Sequence, residues 1–114
     1  MKIYTDLEQS KKLAELLSTD SADAHYWCKD GDDLRLGGGF SIDKDLDIPA
    51  WSIGALLDYI KDKCGYYELV YLSNTSNNYG NRLTDVHRLS TDVYDIYEKE
   101  IIDAAFKMII KLNS

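Results

Sequence analysis

No run of apolar residues in this sequence approaches the roughly 20 that a membrane-spanning helix needs. No segment is basic either: 13 Lys and Arg stand against 20 Asp and Glu, for a net charge of −7. The acidic excess is spread along the chain, so sequence-independent binding to phosphate backbones is disfavoured and no nucleic-acid partner is expected. Cys28 and Cys64 are the only cysteines. They stand alone, without C-x-x-C spacing, and are expected to be reduced and structural. The start, "MKIYTDLEQS", has no apolar core of a secretory signal, which predicts a cytoplasmic protein with no membrane partner. There is no internal repeat and no low-complexity stretch.

What remains is an ordinary globular composition, 45% hydrophobic over 114 residues. A chain of this size forms one domain, 1–114, and buries roughly two-thirds of the surface its unfolded form exposes. "TDLE" reads as a capping box, with Thr5 as cap and Glu8 three residues later, opening a first helix that ends near Ser18. "AHYWCK" (24–29) reads as a strand running into a turn at Asp30-Gly31, with "LRLGGGF" as the returning strand. A second helix starts at the Ser52 cap after Pro49, with Ile53, Leu56, Leu57 and Ile60 on one stripe and Gly65 beyond its end. "YYELVYLS" (66–73) is apolar or aromatic on both faces and predicts a central strand or one packed on two sides, and "RLTDVHRL" (82–89) a further strand. The last helix carries Ile101, Ala104, Ala105, Met108, Ile109 and Leu112 on one face. Residues 90–97 read either as its beginning, with a start near Asp95, or as the end of the sheet. The expected class is α+β: a small antiparallel sheet of three to four strands packed with three helices.

Four stretches, "YTDLEQSKKLAELL", "IPAWSIGALLDYI", "YELVYL" and "IIDAAFKMIIKL", resemble a group of short proteins from gut Bacteroidetes and their phages and mobile elements. The shared patterns are P-x-W-S-x-x-x-L-L, matched by Pro49, Trp51, Ser52, Leu56 and Leu57, and D-A-x-x-x-M-I-x-K-L, matched from Asp103 to Leu112. The resemblance implies a common small α+β fold and an accessory, mobile-element setting. It transfers no catalytic or binding residue, because the shared pieces are helix caps and apolar stripes.

Candidate chemistry is sparse. Asp43, Asp45 and Asp47 begin like a calcium loop, but position 6 is Ile48 rather than Gly and position 12 is Gly54 rather than Glu. They read better as a solvated, charged approach to the second helix. His25, Cys28, Cys64 and His87 make up a Cys2His2 inventory without the paired spacings of structural zinc. "LGGGF" lacks the lysine and hydroxyl of a phosphate loop. No catalytic, cofactor or metal residue is therefore assigned, and no cofactor is expected.

The unusual feature is nine tyrosines and two tryptophans. Tyrosine and tryptophan bury large area at low entropic cost and are enriched at interfaces. Trp51, beside the Ser52 cap, reads as a staple-like packing residue. Tyr79, Tyr67 and Tyr71 are the candidate interaction residues, Tyr79 foremost because it lies in a polar loop. The expected function is a non-enzymatic accessory protein that binds another protein or itself. The alternatives are a small-molecule-binding or enzymatic domain using His25, His87 and Asp85, and an acidic nucleic-acid mimic.

Overall fold

The computed structural model of the chain describes residues 2–29, 33–38, 48–72, 75–76, 82–83 and 85–114, and side chains outside 27–47 and 73–84. The fold is α+β, with three α-helices among the described residues, α1 (Leu7–Ala14), α2 (Ile53–Cys64) and α3 (Ile101–Leu112). The strands are β1 (Ala24–Lys29), β2 (Asp33–Gly38), β3 (Ile48–Ala50), β4 (Glu68–Leu72), β5 (Thr75–Ser76), β6 (Arg82–Leu83), β7 (Val86–Ser90) and β8 (Asp95–Glu98). They are distributed over two three-stranded antiparallel sheets, ordered β2-β1-β3 and β4-β7-β8, and a two-stranded ribbon, β5-β6.

The first helix is capped one residue later than its sequence signal. Asp6 accepts from the Gln9 backbone N–H at 2.8 Å, and the Gln9 side-chain oxygen accepts from the Asp6 N–H at 3.1 Å, which completes a capping box. Thr5 is taken out of that role by a distant partner. Its N–H donates to the Trp51 carbonyl at 2.9 Å, and its Oγ1 accepts from the Trp51 N–H at 3.1 Å. The same hydroxyl meets Ser10 Oγ at 2.7 Å, and both side chains are fully buried. The helix also ends earlier than Ser18, at Ala14. Tight turns onto the Leu13 carbonyl still carry Leu17 into the core.

Between the first two helices, β1 and β2 fall where the sequence puts a strand and its return, with Gly37 and Gly38 opposite His25 and Ala24. The stretch after the three aspartates is not all lead-in: Ile48–Ala50 pairs with β1 as an edge strand. Pro49 suits an edge, because it has no N–H to give to a further neighbour. The chain then crosses the N-terminal segment, where Tyr4 bridges Ser52 and the Ile53 N–H donates to the Ile3 carbonyl. Trp51 is fully buried, and its Nε1–H donates to Ser21 Oγ at 2.9 Å. It packs in the core at the start of α2.

Helix α2 forms as its local signals dictate. Ser52 Oγ accepts from the Ala55 N–H, Lys61 and Lys63 lie in the last turn, and Gly65 closes the helix at φ 77°. Helix α3 begins at Ile101, and the preceding residues are strand β8. The expected helix start near Asp95 is therefore corrected. Ile96 is buried while Asp95 and Tyr97 are exposed, a period of two rather than 3.6, and a turn closed by the Thr91 N–H on the Tyr94 carbonyl returns the chain alongside β7. Of the two expectations for 66–73, the central position is overturned: within its sheet β4 is an edge, and β7 is central. The 82–89 segment is split into β6 and β7 by Asp85, whose φ of 56° lies in the left-handed region.

The core joins Leu13 and Leu17 of the α1 region, Trp51, Leu56 and Ile60 around α2, Leu89 and Ile96 of the second sheet, and Ile102, Ala104, Ala105, Met108 and Ile109 of α3. Each of the larger buried aliphatic side chains contributes roughly 1.5–3 kcal/mol by leaving water. Lys2 ties the start of the chain to the helices. Its ammonium reaches Asp6 and Asp103, both at 2.9 Å, and Gln9 donates to the same Asp103 oxygen at 2.7 Å.

Candidate interaction surface

Register and alternation divide the β4-β7-β8 sheet into two faces. Leu69, Leu89 and Ile96 lie side by side and pack into the core with α3. Neighbouring residues alternate across a strand. The opposite face therefore carries Glu68 and Val70 of β4, Arg88 and Ser90 of β7, and Asp95 and Tyr97 of β8. Tyr66 precedes β4 on the same parity. Its hydroxyl donates to Glu68 Oε2 at 3.0 Å, and Arg88 donates to Glu68 Oε1 at 2.9 Å. Arg88 stands opposite Tyr97 in the register. The hydrogen bond to Glu68 raises the Tyr66 phenol above its ordinary range, and the Asp92 charge adds to this. Glu68 likewise holds the Arg88 guanidinium up. A stripe of tyrosine, glutamate, arginine and tyrosine thus crosses the outer face.

On the core-side face, beyond Leu69 and Leu89, Tyr71 and His87 stand opposite each other with ring centroids 5.1 Å apart and planes tilted by 56°. The Tyr71 hydroxyl donates to Asp85 Oδ1 at 2.6 Å, and this bond raises the phenol above its ordinary range. His87 Nδ1 lies 3.0 Å from the Lys99 carbonyl. A carbonyl only accepts, so Nδ1 carries the proton in that hydrogen bond, and Nε2 has no hydrogen-bond partner among the described residues. The β5-β6 ribbon keeps the register of β4 and β7 and continues that hairpin outward.

The candidate residues separate on this framework. Tyr71 is 56% exposed, whereas Tyr67 is half-buried against the core. Tyr79, the aspartates 43, 45 and 47, the Asp30-Gly31 turn and the Cys28 side chain lie outside the described residues. His87 and Asp85 meet through Tyr71, but His25 belongs to the other sheet, where its Nδ1 is buried with no hydrogen-bond partner among the described residues. Cys64 closes α2, half-buried against the core. Among the described residues, no three His, Cys, Asp or Glu side chains gather as a metal-holding group. An open depression of about 520 Å³ lies at the start of α2, lined by Asp20, Ser21, Asp23, Ser52 and Asp58 among others. Asp23 is already engaged there, accepting from the Ser52 N–H at 2.8 Å and from the Ser52 hydroxyl.

Sequence reasoning missed Tyr66 and Tyr97 as surface candidates. Their alternation with Ile96 and Leu69 would have marked them, had 95–98 been read as strand. Among the described residues, no helix is long and apolar enough to cross a membrane. Comparison with protein-family models, with curated proteins and with solved structures gives no match in any of the three.

Proposed function

We propose that this chain is a non-enzymatic protein-binding module, an accessory cytoplasmic protein of a mobile element, that holds its partner on the β4-β7-β8 sheet. One observation carries the reading. Of the five large hydrophobic residues exposed among those described, Tyr66, Tyr71, Val93 and Tyr97 belong to this sheet and its flanking turns, and only Ile3 lies elsewhere. Tyrosine with arginine is the composition of interface hot spots, and clustered exposed aromatics mark binding surfaces. The acidic-mimic alternative has less support, because lysines interrupt the carboxylates in the pairs Lys2–Asp6, Lys12–Glu15 and Lys107–Glu98.

The test is size exclusion with light scattering, followed by affinity capture from host lysate using the native chain, Tyr97→Ala and Tyr71→Ala. The reading expects either self-association or a captured protein that one of the two variants, which lie on opposite faces of the sheet, weakens by about fivefold or more, the loss typical of an interface residue worth over 1 kcal/mol. A monomer that captures nothing, or capture indifferent to both variants, overturns it.

The runner-up, a small-molecule-binding or enzymatic domain, is favoured by one geometry: Tyr71, Asp85 and His87 converge, and His87 Nε2 has no hydrogen-bond partner among the described residues. It predicts saturable binding of a small molecule that His87→Ala removes without unfolding the chain.

A further inference from the structure

The outer face of the second sheet has a definite charge. Arg88 is neutralised by Glu68 at 2.9 Å. Asp95 projects to this face from β8 by its register, and Asp92 lies in the turn between β7 and β8, at the end of the sheet from which Tyr66 leads into β4. Both are exposed, and neither is paired with a cation among the described residues. The two carboxylates are flanked by Tyr66, 49% exposed, and Tyr97, 45% exposed. Phenol faces beside unpaired carboxylates attract an ammonium or guanidinium group through its charge and through the ring quadrupole.

Charge decides between the occupants. A second copy would bring the same two carboxylates and a net charge of −7 to this face, and like charges placed together oppose association, whereas a basic segment complements them.

We propose that the outer face of β4-β7-β8 is a docking site for a short basic segment of another protein, whose lysine or arginine side chains pair with Asp92 and Asp95 beside Tyr66 and Tyr97. The assignment rests on the binding-module reading above and names its partner chemistry.

The probe is a short peptide alternating lysine and valine, with a glutamate–valine peptide of equal length as control. It is titrated into the full chain while backbone amide shifts are followed by NMR. Saturable shifts confined to Tyr66, Arg88, Asp92, Asp95 and Tyr97 are expected for the lysine peptide alone. Asp92→Asn with Asp95→Asn should weaken it by up to about tenfold, the scale of two exposed charge pairs. Asp58→Asn, in the depression at α2, should leave affinity unchanged. Native-like spectra of the variants exclude misfolding as the cause of any loss.

Absent or non-saturable binding overturns the assignment, as does equal binding of the glutamate peptide. So do shifts spread to Asp20, Asp23 and Asp58, which would mean general attraction to an acidic protein. Concentration-dependent shifts on this face without peptide would make a second copy the occupant and also overturn it. If the peptide fails while partner capture still depends on Tyr97, the charge assignment falls and the docking reading stands.

Discussion

The Tyr71 hydroxyl donates to Asp85 Oδ1 at 2.6 Å across the β4-β7 hairpin, and Asp85 meets it from a left-handed backbone at φ 56°. Aspartate tolerates that conformation better than most residues, but it is still strained relative to glycine. The hydrogen bond stabilises the protonated phenol, so Tyr71 ionises above its ordinary 10.0. A raised acid of this kind contributes stability below its ordinary pKa and loses it as pH rises through the folded value. In a tyrosinate absorbance titration, Asp85→Asn should bring one late-ionising tyrosine back toward the ordinary value. Tyr71→Phe should remove that tyrosine, which separates it from Tyr66 and Tyr26, both also raised.

Asp6 gives the opposite sign. Desolvation pushes its carboxyl up, but the Gln9 N–H and the Lys2 ammonium outweigh it and hold it below its ordinary 3.8. Its contribution is present above that value and is lost as pH falls through the folded pKa. Asparagine is also a good cap, so Asp6→Asn removes the charge and keeps the cap, while Asp6→Ala removes both and costs about 1 kcal/mol. The gap in stability between the native chain and Asp6→Asn at neutral pH should close in acid, measured by urea unfolding across pH.

Gly65 ends α2 at φ 77°, and nothing lies within 4 Å of where a Cβ would stand. Gly65→Ala meets no steric obstacle, so its cost is conformational, about 1 kcal/mol. Chemical denaturation should show a lowered midpoint with an unchanged slope.

Thr5 Oγ1 serves the Trp51 N–H and Ser10 Oγ in a site closed to solvent. Thr5→Val fills the same space but strands both partners, and should cost about 1–3 kcal/mol. Ser10→Ala should cost less in that background than in the native chain. The difference, read from a double-mutant cycle, measures the coupling.

Local signals were legible where both partners lie within one turn of each other. Ser52 and Ala55 start α2, and Gly65 and Lys61 end it, all within a few residues, so the sequence places this helix. The short aromatic-rich stretch 24–29, running into a turn, likewise marks β1. The α+β class follows from the order of such segments. The candidate surface was only partly legible. Tyr71 was visible as an aromatic, but its meeting with Asp85 and His87 depends on hairpin register, and Tyr97 was hidden by reading 95–98 as helix.

What the chain alone determined, then, is its charge, its class and the helices that carry their own caps, because those depend on composition and on neighbours a few positions away. Tertiary structure decided the rest. Trp51 draws Thr5 from the cap of α1 across 46 positions. Leu89 draws Ile96 into a ladder that extends the sheet before α3 begins. Edge or centre is likewise decided by which strands pair, and β4 has β7 on one side only within its sheet. In each case a long-range hydrogen bond or buried contact outweighs a local propensity worth only tenths of a kcal/mol per residue.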